Sequence, residues 1–68
     1  MINQNEIILE FISLGAYVKI NAIDTKTGVE ATAIAPANLR RDEMKTLALR
    51  KLEYVMKKKK NSDNDFLV

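Results

Sequence analysis

From Leu39 to Lys60 the chain reads LRRDEMKTLALRKLEYVMKKKK, a run without glycine or proline. Met44, Leu47, Ala48, Leu52 and Val55 follow the i, i+3, i+4, i+8, i+11 spacing of one helical face. Leu49 and Met56 widen that face on one side and Tyr54 on the other, while Thr46, Arg50, Glu53 and Lys57 fall opposite. Such a helix has an apolar side that a short chain must cover with whatever precedes it. Pro36 ends any strand before the helix and favours a turn. Asn38 is the best N-cap by residue type, and Arg40 or Arg41 is an equal candidate for the start. Asp42 and Glu43 at one end and Lys57 to Lys60 at the other match the helix dipole.

Three short apolar stretches precede it. Glu6 to Ser13 (EIILEFIS) reads as a strand, Gly15 as a turn and Tyr17 to Asp24 (YVKINAID) as a second, alternating strand. Asp24-Thr25-Lys26-Thr27-Gly28 is a hairpin signal, because Asp bonds nearby backbone amides and Gly supplies the left-handed residue that closes a four-residue loop. Val29 to Ala35 (VEATAIA) is the third strand. The expected fold is α+β: a three-stranded antiparallel meander and one C-terminal amphipathic helix, in the order β-β-β-α.

The register follows from the loops. A loop over Thr25 to Gly28 pairs Ala22 with Ala31, Ile20 with Ala33 and Val18 with Ala35. A two-residue loop at Leu14-Gly15 pairs Ile12 with Tyr17, Phe11 with Val18, Leu9 with Ile20 and Ile7 with Ala22. One face then holds Ile7, Leu9, Phe11, Val18, Ile20, Ala22, Ala31, Ala33 and Ala35, all apolar, and a slip of one residue would put Glu10 or Lys19 among them. The same register sets Glu10 beside Lys19 on the other face. That face also carries Ile8, Ile12, Tyr17, Ile23 and Ile34, more apolar than a solvated sheet face usually is. Scattered surface apolar residues are one reading. The clustering on one sheet favours a protein interface built from these five.

With 68 residues the chain is one domain at most. A domain of roughly 60 residues buries only about 60% of its unfolded surface. Cysteine and histidine are absent, so disulfides, the common zinc patterns, the common triads and thiol mechanisms are excluded. Oligomerisation is the remaining way to add burial. Asp42 and Glu43 are neighbours on a helix and diverge by about 100°, which suits surface acids and not an acid–base pair. Asn61, Asp63 and Asp65 resemble the start of a calcium loop, but Phe66 stands where glycine is needed. Two glycines leave no phosphate loop. The expectation is a protein that is not an enzyme and uses no cofactor or metal. The N-terminus shows no signal-peptide pattern and no apolar run approaches the roughly 20 residues of a membrane span. Together with the missing cysteine this points to the cytoplasm.

Charge is uneven. Residues 40–60 hold nine basic groups against three acids, whereas the flanking segments are each slightly acidic. Arg50, Lys51 and Lys57, Lys58, Lys59 and Lys60 could meet phosphates; the alternative is a helix end with its favoured cations. Lys51 falls between Leu47 and Val55, inside the apolar arc, and is expected to snorkel past the sheet edge. Residues 61–68 read as a solvated tail ending in the apolar Phe66-Leu67-Val68.

YVKINAID, TG, APAN and LALRKLEYVM together resemble a family of short, uncharacterised bacterial proteins with a YVKV-like strand, a D-x-x-T-G turn, a GPAN-like turn and a helix ending in AVRKLEYVL. The resemblance covers roughly Phe11 to Lys57 and rests on Tyr17, Val18, Lys19, Asp24, Thr27, Gly28, Pro36, Ala37, Asn38, Arg50, Lys51, Leu52, Glu53 and Tyr54. Ala35 and Arg40 depart from it, where the family tends to have glycine and a capping residue. It implies no activity. The reading is therefore a single domain over 1–60 with a tail, acting by association as a homodimer or adaptor, or alternatively binding nucleic acid or an anionic surface through the helix.

Overall fold

A computed structural model of the chain describes residues 6–60, with side chains as far as Lys58; the tail reading of 61–68 and the side chains of Lys59 and Lys60 lie outside the described residues. Three strands, β1 (Ile7–Leu14), β2 (Tyr17–Asp24) and β3 (Glu30–Pro36), form one antiparallel sheet in the order β1-β2-β3. One helix, α1 (Arg41–Lys60), follows and packs on one sheet face. The architecture is the expected α+β meander with a C-terminal helix.

The β2–β3 hairpin has the expected register: Val18 pairs with Ala35, Ile20 with Ala33 and Ala22 with Ala31. Its loop shows why. The Asp24 and Gly28 backbones close the turn, with the Gly28 N–H donating to the Asp24 carbonyl at 2.7 Å and the Asp24 N–H to the Val29 carbonyl at 2.9 Å. Both Asp24 carboxylate oxygens are used, one by the Lys26 amide at 3.1 Å and the other by the Thr27 hydroxyl at 2.9 Å. Gly28 carries the positive φ of 76° that ends such a loop.

The β1–β2 hairpin is shifted by two residues from the expected one. Leu14 pairs with Tyr17, Ile12 with Lys19, Phe11 with Ile20 and Leu9 with Ala22. The two loop residues are Gly15 and Ala16, not Leu14 and Gly15. In two-residue hairpin loops the first residue has φ > 0 in both favoured turn types, which is costly for Leu and free for Gly. Gly15 takes that position with φ of 66°, and among the described residues no other residue type has a positive φ. A shift of two preserves which face each side chain occupies. All nine residues assigned to the inner face are therefore there, either buried or packed against the core.

Pro36 does not stop pairing; it is the last residue of β3, opposite Tyr17. The Ala37 N–H still donates to the Ala16 carbonyl at 2.8 Å. Hydrogen-bonded and non-bonded pairs alternate in an antiparallel ladder, so the Pro36 nitrogen faces the open edge of the sheet, where a missing donor costs nothing. The chain then turns, the Leu39 N–H donating to the Pro36 carbonyl at 3.0 Å, and Asn38 sits inside that turn and does not cap the helix. Arg40 occupies the cap: its carbonyl accepts from the Glu43 and Met44 amides, and Glu43 Oε1 accepts from the Arg40 backbone N–H at 3.3 Å. That is the glutamate half of a capping box.

The helix lies over β3 and β2. Ile20, Ala22, Ala31, Ala35, Met44, Ala48 and Leu52 are buried, and Ile20 and Leu52 are the largest fully buried side chains. Alanine on both elements lets the helix sit close to the sheet. The face it presents is rotated from the expected arc. Met44, Ala48 and Leu52, at i, i+4, i+8, make its centre, with Val55 and Met56 packed beside them. Leu47 and Tyr54, expected to join, are 40% and 59% exposed, and Lys51 is exposed with them. β1 carries the uncovered margin of the inner face, so Ile7, Leu9 and Phe11 are only half-buried. At that margin the Arg41 guanidinium stands 4.4 Å from the centroid of the Phe11 ring, a cation–π contact.

Candidate functional site

The sheet face away from the helix is set by strand parity. Pairing across the three strands gives four rows: Leu14–Tyr17–Pro36, Ile12–Lys19–Ile34, Glu10–Asn21–Thr32 and Ile8–Ile23–Glu30. The first two rows are apolar except for Lys19, whose half-buried stem runs between Ile12 and Ile34. The third row is a polar ladder. The Thr32 hydroxyl donates to Asn21 Oδ1 at 2.8 Å, and Asn21 Nδ2 donates to Glu10 Oε1 at 3.0 Å. The expected Glu10–Lys19 neighbour pair is therefore replaced by Glu10–Asn21, a direct result of the two-residue shift.

The five residues expected to form one interface fall into two groups. Ile12, Tyr17 and Ile34 lie together at the end of the sheet near the β1–β2 turn. Ile8 and Ile23 lie beyond the ladder, next to Glu30. Leu14 and Pro36, not assigned to this face from the sequence, complete the first group. Leu14, Tyr17 and Ile34 are 51%, 55% and 56% exposed. The signal for Leu14 was in the turn: once glycine must come first in the loop, Leu14 belongs to the strand and points outward.

Among the described residues neither outer strand, β1 or β3, has a neighbour on its far side, so within that set both backbone edges are open. Among the described residues no group of three or more acids could hold a metal ion. Asp42 and Glu43 line an open hollow of about 410 Å³ with Leu39, Thr46, Leu47 and Arg50. Glu43 is already engaged by the Arg40 backbone and lies 3.6 Å from Arg40 Nε. Thr46 donates its hydroxyl to the Asp42 carbonyl at 3.0 Å. No nucleophile and base converge there. Among the candidate anion-binding residues, Arg50, Lys51, Lys57 and Lys58 are all exposed on α1, on the side of the molecule opposite the outer sheet face. No helix among the described residues is long and apolar enough to cross a membrane.

No curated protein and no solved structure shows detectable similarity to this chain. A family model does match, over residues 4–59, which takes in all three strands and nearly all of the helix; the chain belongs to the family described as Domain of unknown function (DUF6898).

Proposed function

We propose that this domain acts by protein association and without chemistry of its own, as a homodimer that closes over the Tyr17 end of the outer sheet face. The observation that supports it most is the cluster of Leu14, Tyr17 and Ile34, each more than half exposed on three adjoining strands. Contiguous apolar surface of this kind is characteristic of interaction sites. Two further features favour a second copy as the occupant. Lys19 and Glu10 sit in adjacent rows of the same face, so the surface carries both signs and can complement itself about a two-fold axis. The inner core is thin, since four of its seven buried apolar residues are alanine, and association would add the burial that a domain of this size lacks. The composition, free of cysteine, suits a reducing cytoplasm.

Sedimentation of wild type and of the Tyr17→Glu/Ile34→Lys double variant over a concentration series tests this. The wild type should sediment as a dimer, and the variant as a folded monomer that melts at a lower temperature. A wild type that is monomeric throughout, with a variant of equal melting temperature, would make the outer face ordinary surface.

A further inference from the structure

The rotation of α1 leaves a second surface, on the other side of the molecule. Leu47, Arg50, Lys51, Tyr54, Lys57 and Lys58 are all exposed. At about 100° per residue they fall within an arc of about 120°. Lys51 and Lys58 run along the margin nearer the sheet and Arg50 and Lys57 along the far margin, with Leu47 and Tyr54 between. From Arg50 to Lys58 the stripe is about 12 Å long at 1.5 Å per residue. Tyr54 thus stands in water, 59% exposed, with a cation on the turn before and after it along each margin. Glu53 lies outside the arc. Glu43 lies on its line two turns earlier, where it is held by Arg40.

The geometry points to this stripe as a binding site for single-stranded nucleic acid, recognised without regard to sequence. Cations on both margins can follow a phosphate backbone, and release of its counterions supplies the affinity. The ring between them can stack on one unpaired base, a contact open to every base because each has a π-face. A duplex hides those faces within its stack and offers base edges, for which the stripe has Arg50 but no Asn or Gln. A helix lying in a bilayer surface needs a broad apolar side. In α1 that side is used on the sheet, which leaves Leu47 and Tyr54 alone.

The test is fluorescence anisotropy of labelled oligothymidylate, its duplex with oligoadenylate, and phosphatidylserine-rich vesicles, each titrated with the full chain from low to physiological salt. The single strand should bind tightest, with affinity falling steeply as salt rises. Lys57→Gln/Lys58→Gln should flatten that salt dependence. Tyr54→Ala should weaken binding about tenfold, whereas Tyr54→Phe should bind as wild type; Tyr54, Lys57 and Lys58 are all exposed, and matching melting curves will show that the variants fold. The Tyr17→Glu/Ile34→Lys variant should bind unchanged in intrinsic affinity, which separates this surface from the proposed dimer face. Three results would overturn the assignment: no binding at low salt, tighter binding to duplex or vesicles, or a Tyr54→Ala variant that binds like wild type.

Discussion

The two faces of the sheet are built from opposite materials. The inner face is lined at its centre by Ala22, Ala31, Ala33 and Ala35 around Ile20, and there the helix covers it, while Ile7, Leu9 and Phe11 on β1 stay half-buried. The outer face carries Ile8, Ile12, Leu14, Tyr17, Ile23 and Ile34, and among the described residues nothing covers it. Small residues sit where a helix must come close, and the helix answers with its own Ala48 at the contact. Large residues sit where a second surface can arrive from outside. The contrast teaches that the covered face was shaped by the approach of one specific element, whereas the open face is the one on which the proposed association rests.

Four substitutions sharpen that contrast. The largest effect belongs to Leu52→Ala, which empties one of the two largest buried sites and should cost about 2–5 kcal/mol. In a domain this small that is enough to abolish the folded baseline in a urea melt; a loss under about 1 kcal/mol would mean that the helix does not rest on the sheet through Leu52. Ala48→Leu is the converse experiment. It adds volume at a fully buried helix position in the core, and overpacking should cost about 1–3 kcal/mol, read as a lower urea midpoint with little change in slope. Stabilisation instead would show slack between helix and sheet. The smallest effect is expected for Ile8→Thr, at a side chain 54% exposed and separated from the Tyr17 group by the polar ladder. It should shift stability by no more than about 0.5 kcal/mol and leave the sedimentation profile of the wild type intact, whereas Leu14→Thr should weaken self-association. Equal effects of the two on association would erase the division that the Glu10–Asn21–Thr32 row draws.

Much of this was legible in the residues, and the parts that were not share a cause. The β2–β3 register is written locally, since Asp24, Thr27 and Gly28 fix the length of their own loop. The inner face was legible because parity alone assigns it. The β1–β2 register was not fixed by parity: apolar alternation is blind to a shift of two, and only the φ demanded of the first loop residue tells Gly15 from Leu14. The helix's existence and the acids of its first turn follow from sequence, but its rotation does not. Leu47 and Met56 are equally apolar, and the choice between them was made by contact with an alanine surface elsewhere in the chain. The outer site inherits both errors and corrections. Ile12, Tyr17 and Ile34 were placed by parity, while the inclusion of Leu14 and the separation of Ile8 and Ile23 depend on the true register.

That blindness to a shift of two also bears on how the sheet assembles in time. A first hairpin formed two residues out of step keeps every apolar side chain on its own side and brings Glu10 next to Lys19. It loses little that a collapsing chain can sense. Against it stand a leucine forced to positive φ, at about 1–2 kcal/mol, and an Asn21 amide deprived of Glu10, worth about 1 kcal/mol. The competitor thus lies only a few kcal/mol above the native hairpin, close enough to be visited during folding. Gly15 and the row through Asn21 are the proofreaders of this sheet, and Gly15→Ala would relax the check with no neighbour within 4 Å to clash.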